Sequence, residues 1–167
     1  MQVDLVQEAR RQAQICNACR YCEGYCAVFP AMHREREFST GDLSHLANLC
    51  HNCRGCYYAC QYTAPHEFDL NLPRALADLR QDSWKAHAWP AGFARAFDRS
   101  GVVVTAVLIL LLTLVFALVQ AVRPADGAGF YAYLSHTVMV SLFAPAFVLP
   151  LAALCLSLRR YWRAAGG

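Results

Sequence analysis

Residues 15–30 read ICNACRYCEGYCAVFP, and residues 49–65 read LCHNCRGCYYACQYTAP. Both carry the spacing C-x2-C-x2-C-x3-C: Cys16, Cys19, Cys22 and Cys26, then Cys50, Cys53, Cys56 and Cys60. Each cysteine of the first run has a counterpart 34 residues later, so the chain contains an internal repeat. Solenoids have similar periods, but two units this rich in cysteine predict a metal-held pair rather than a stacked array.

A cubane iron–sulfur cluster takes four thiolates, one per iron. Three closely spaced cysteines wrap a loop around three corners, and so short a loop does not reach the fourth. In two-cluster ferredoxins the last cysteine of each run ligates the other cluster. That rule assigns Cys16, Cys19, Cys22 and Cys60 to one 4Fe–4S cluster, and Cys50, Cys53, Cys56 and Cys26 to a second. The crossover staples the two halves, which suits a small domain with a thin core. Zinc is the alternative, but zinc sites pair two C-x2-C knuckles across a longer stretch, and three successive x2 spacings crowd a tetrahedral ion. The N-terminus, MQVDLVQEARRQAQIC, lacks the basic and apolar regions of a secretory signal. The cysteines are therefore expected in a reducing compartment, where disulfides are out of place.

The runs are expected at the ends of helices. Asp4 is a candidate N-cap, with Leu5, Ala9, Gln12 and Ala13 on one face. Ser39 or Thr40 caps a second helix with Leu43, Leu46, Ala47 and Cys50 on its apolar face. Asn71 caps a third, with Pro73 in its first turn and Leu72, Leu76 and Leu79 on one face. A helical approach departs from small bacterial ferredoxins, which enter their runs from strands, and the fourth cysteine of neither run is followed directly by proline. His51 and His66, near the second run, read as surface residues; hydrogen bonding to cluster sulfur is the alternative.

Beyond Arg99 the chemistry changes. Ser100 to Val122 is 23 residues without a charge, roughly 35 Å of helix and enough to cross a hydrocarbon core. A second uncharged stretch, Gly127 to Leu158, contains His136, Pro145, Pro150 and Cys155. Cys155 reads as a small apolar residue. Trp84, Trp89, Phe93 and Phe97, interleaved with Lys85, Arg95 and Arg99, precede the first stretch and suit a membrane interface. The short loop RPADGAG makes the two spans antiparallel neighbours. Basic residues flank the outer ends, Arg95 and Arg99 before, Arg159, Arg160 and Arg163 after. The positive-inside rule then places both termini and the cysteine domain in the cytoplasm. The net charge of +3 is small and the arginines are scattered, so nucleic acid is not an expected partner.

The expected fold is all-α: an α-helical ferredoxin-type two-cluster domain over residues 1–82, an interfacial linker over 83–99, and two transmembrane helices within 100–167, at about 100–122 and 130–158. His136 is an ionisable residue in a span, and so a candidate contact for a b-type haem iron or a quinone carbonyl. The first span has no histidine, so a bis-histidine haem needs a homodimer or a further membrane subunit. A polar helix–helix contact is the plainer role.

The segments CNACRYCEGYCAVFP and LANLCHNCRGCYYACQYTAPHEF, with the tryptophan-rich lead into an apolar span, resemble the tricarballylate-utilisation protein B (CitB-like) family. That family is related to the membrane-bound part of an oxygen-dependent cobalamin-biosynthesis flavoprotein. The resemblance covers roughly residues 10–160. It implies a multi-pass protein of the bacterial inner membrane that reoxidises the reduced flavin of a partner dehydrogenase and passes electrons to the quinone pool. Family members are usually longer, with more spans and b-type haem. No G-x-G-x-x-G is present, so substrate chemistry is expected of the partner. The alternatives are a partner of the cobalamin-pathway flavoprotein and a membrane-anchored metal-binding redox sensor.

Overall fold

Val6, Ala9 and Ala13 fall three and four apart, the repeat of one helix face, and the first helix, α1 (Val3–Cys19), buries all three. The structure, a computed structural model, describes residues 3–121 and 135–166. Within these residues every regular element is helical. Asp4 lies inside the first turn of α1 rather than at its cap. Its charge still suits that turn, where the helix dipole is positive.

A five-residue helix, α2 (Val28–Met32), follows the first cysteine run and buries Val28, Phe29 and Met32. Helix α3 (Thr40–Leu49) opens with a capping box. Ser39 Oγ accepts from the Asp42 N–H at 3.2 Å, and Asp42 Oδ2 accepts from the Ser39 N–H at 2.8 Å. A single turn, α4 (Gly55–Tyr58), sits inside the second run. Helix α5 (Leu72–His87) starts at Asn71, whose Oδ1 accepts from the Arg74 N–H at 3.3 Å. It packs against both α1 and α3, and Leu72, Leu76 and Leu79 join Leu43, Leu46 and Met32 in one core.

The buried polar side chains Gln12, Ser44 and Ser83 are hydrogen-bonded. Gln12 donates to Glu8 at 2.6 Å and accepts from the Asn71 N–H at 3.0 Å, tying α1 to the start of α5. Ser44 and Ser83, both buried, share a hydrogen bond of 2.8 Å between α3 and α5.

The expected linker is mostly helical. Helix α5 continues through His87, and α6 (Ala91–Ala121) begins four residues later. Ser100, at φ −150° and ψ 50°, breaks the helical geometry of α6, so residues 91–99 form a separate leading piece. Helix α7 (His136–Ala164) contains Pro145 and Pro150 and runs beyond residue 158. The loop at 123–129, with Val122 and residues 130–134, lies outside the described residues.

The chain divides into two units: Met1–His87 with Arg159–Gly167, and Ala88–Leu158. In the first, the returning segment is seated on the helical core. The rings of Tyr161 and His87 meet edge to face at 5.6 Å. A Cβ at Gly41 would lie 3.1 Å from the Ala164 carbonyl oxygen and 3.3 Å from the Ala165 Cα, so glycine permits this approach. In the second unit, the Trp89 N–H, just ahead of α6, donates to Ser157 Oγ near the end of α7 at 2.9 Å. Neither long apolar helix buries its apolar stretch within the chain.

Candidate metal centres

The two cysteine runs fold alike where they turn. Cys16 and Cys19 lie in the last turns of α1. Cys50 caps α3 in an extended conformation. The residue after the second cysteine of each run, Arg20 and Arg54, has positive φ, 56° and 61°. These positions are 34 residues apart, so the repeat extends to the backbone. Each left-handed arginine costs on the order of 1 kcal/mol. It reverses the chain so that the third cysteine faces the first two. Asn52, at φ 54°, tightens the second loop further.

Two cavities result. Cys16, Cys19, Cys22 and Cys60 stand in the wall of the first, about 180 Å³, with Phe29, Tyr62 and Leu70. Cys26, Cys50, Cys53 and Cys56 stand in the wall of the second, about 100 Å³, with Phe29, Leu72 and Leu76. Each wall thus combines three cysteines of one run with the last cysteine of the other. A narrow gap of about 30 Å³, bordered by Cys16, Cys22, Cys56, Cys60 and Phe29, lies between them. Among the described residues no three His, Cys, Asp or Glu side chains converge closely enough to hold a single ion. The thiols stand around the cavities instead.

The environment disfavours bare thiolates. Burial pushes the Cys16 thiol up to about 12, reinforced by Cys60, Cys56, Cys22 and Cys19. Burial also pushes Cys56 up to about 12, with Cys22, Cys50, Cys26 and Cys53 adding to it. Cys22 moves in the same direction for the same first cause. Crowded thiolates on apolar walls need a positive centre between them, and metal ligation supplies it while releasing the thiol protons. Hydrogen-bond donors already face two sulfurs. The Asn52 N–H points to Cys50 Sγ and the Tyr62 N–H to Cys60 Sγ, each at 3.4 Å. Soft donors in fours, apolar lining and N–H···S bonds fit an iron–sulfur group.

The histidines are placed differently from one another. His66 Nδ1 accepts from the Phe68 N–H at 3.1 Å, and its ring packs between Tyr62 and Phe68. His51 is exposed and borders the second cavity. His136 is exposed in the first turn of α7, and Cys155 is exposed on the same helix. The connector histidine His33 is the better-buried one. Its Nδ1 lies 3.2 Å from Glu23 Oε1, near enough for an ion pair although not aligned as a hydrogen bond, and Nε2 has no protein partner. The contact pins the first cysteine loop to the end of α2.

Sequence reasoning missed Phe29, which walls both cavities, and Arg80 of α5, whose Nη1 donates to the Cys50 carbonyl oxygen. It also passed over Arg20 and Arg54, although the shared Cys-Arg step in CRYC and CRGC was visible.

Short helical loops carrying thiols in fours, followed in sequence by two long apolar helices, define an all-helical protein with a Fer4-like domain at its N-terminal side, a class that points to iron–sulfur binding. Residues 9–86 match the family model described as citrate utilization protein B Fer4-like domain. Over 161 residues, 93% of this chain, the sequence is 42% identical to citrate utilization protein B of Escherichia coli. The chain spans 42% of that relative's length, less than half. No solved structure matches it. Both matches support a citrate utilization protein B, or CitB/TcuB-like, family for this chain.

Proposed function

We propose that this chain is a membrane-anchored electron-transfer protein. Cys16, Cys19, Cys22 and Cys60 hold one 4Fe–4S cluster, and Cys50, Cys53, Cys56 and Cys26 hold the other. Its donor is the reduced flavin of a partner dehydrogenase, of the tricarballylate-oxidising kind, and its acceptor is the membrane quinone pool. The observation that carries this is the division of eight thiols into two cavity walls, each with three cysteines from one run and one from the other.

When bound, an iron–sulfur group supplies reversible one-electron uptake. The protein supplies the rest. The thiols fix the position, the Asn52 and Tyr62 N–H groups stabilise the negative sulfurs, and Phe29, Leu70, Leu72 and Leu76 limit water. A flavin gives up two electrons and each site takes one, so two adjacent sites suit that donor.

The membrane part of the proposal draws on surface chemistry. Leu110 is 68% exposed and Val102 85%, and among the described residues the apolar stretches of both long helices are left uncovered. A bilayer supplies that cover. The arginines flanking the apolar stretches support a cytoplasmic side of the inner membrane for the iron–sulfur unit. His136 remains the candidate contact for haem or quinone, with its second group supplied by another copy or a further membrane subunit. The test is anaerobic purification from membranes with iron analysis and EPR. About eight irons per chain are expected. Zinc in place of iron overturns the proposal, and so does recovery of the full chain from the soluble fraction.

A further inference from the structure

The two cavities differ in charge. Among the described residues no ionic side chain stands in the wall of the first, whose polar amide is Gln61. Arg54 and His51 stand in the wall of the second. Arg80, half-buried on α5, donates to the carbonyl oxygen of Cys50 in the same wall. The repeat does not balance this. Arg20, the counterpart of Arg54, turns its Nε back to the Asn17 carbonyl oxygen at 3.3 Å and is no part of the first wall. Arg11, which reaches the Phe68 carbonyl, is paired with Glu8 at 2.6 Å.

With four cysteines apiece, the two thiolate sets carry equal charge. A difference in their reduction must come from what surrounds them. Taking up an electron adds negative charge, and a nearby permanent cation favours that step.

We infer that Arg54 and Arg80 make the iron–sulfur group of the second cavity the easier to reduce, so that electrons arriving at the first cavity leave through the second. The inference rests on the proposed function and adds a direction to it. In the step, the group in the first cavity loses one electron and is oxidised, and the group in the second gains that electron and is reduced. No cysteine bond forms or breaks, and no proton moves.

The covalent route agrees with this direction. Leu72, Pro73 and Leu76 of α5 stand in the second wall, Arg80 is on the same helix, and α5 leads directly to the unit containing the apolar helices. Around the first cavity lie Tyr21, 67% exposed, and the aromatic group Tyr62, His66 and Phe68. Aromatic surface of this kind favours a protein partner.

The test is a potentiometric titration of the holoprotein in detergent, followed by EPR. Cys19→Ser marks the signal of the first cavity and Cys53→Ser that of the second. The more positive midpoint should belong to the signal that Cys53→Ser alters. Arg80→Gln and Arg54→Gln should each lower that midpoint and leave the other in place. Arg80→Lys, which keeps the charge, should restore much of the shift and so separates charge from packing. The inference is overturned if the higher midpoint belongs to the signal marked by Cys19→Ser, or if the glutamine variants move both midpoints equally or neither. Wild-type protein without any iron–sulfur signal overturns the proposed function and this inference together, a result distinct from a reversed order.

Discussion

In the unit formed by Met1–His87 and Arg159–Gly167, large apolar side chains such as Leu43, Leu76 and Leu79 are fully buried, while in Ala88–Leu158 residues such as Leu108, Leu110 and Leu112 are exposed. The first unit turns these leucines inward into one core. In the second, the described residues leave the leucines uncovered. The same residue type therefore reports opposite things: a stabilised interior in one unit, a surface made for an apolar surrounding in the other.

The largest effect expected in the first unit comes from a cysteine rather than a leucine. Cys26→Ser should abolish or strongly perturb the EPR signal of the cavity walled by Cys50, Cys53 and Cys56, and spare the cavity of its own sequence neighbours. Loss confined to the neighbours' signal instead would break the crossed arrangement. Leu76→Ala should cost about 2–5 kcal/mol in chemical denaturation of the first unit, because Leu76 is fully buried. In the second unit Leu110→Arg should weaken membrane insertion by about 2.5–3.5 kcal/mol, read as a shift of the chain out of the membrane fraction. Unchanged partitioning would mean that the exposed leucines meet something other than lipid.

Removing the metal should expose a pH dependence. In the metal-free domain the Cys16 and Cys56 thiols move from 9.0 to about 12, because burial disfavours the thiolate. Their contribution to stability is complete below about pH 9 and is lost as pH rises toward 12. Thermal unfolding of the metal-free form should therefore shift downward with rising pH across that window. The metal-bound form, whose thiolates are already ionised and neutralised, should lack this loss. The smallest effect belongs to Ser39→Ala, which removes one half of the capping box of α3 and should cost about 1 kcal/mol in the same denaturation experiment.

Helices α1, α3 and α5 were legible because their apolar residues recur at three and four and because Ser39 and Asn71 announce two of the starts. Asp4 misled, since an acidic residue serves a first turn as well as a cap. The two shortest helices, α2 and α4, span five and four residues, too few to show a period. The aromatic and basic stretch before the apolar run was legible as a separate segment. That α5 extends into it was not, because no residue signature marks it. Cysteine spacing singled out the eight thiols as candidates. Which aromatic rings and cations stand beside them depends on how α1, α2 and α5 meet, and one-dimensional spacing does not encode that. Arg20 and Arg54 show the limit well: same repeat position, same backbone conformation, different side-chain destination.

Phe29 bears on how such a domain can change over time. One buried ring forms part of both cavity walls. A substitution there is felt on two sides at once, so neither half is a module to be repacked, duplicated or discarded alone. The doubled motif looks like two parts, yet its smallest heritable unit is the pair.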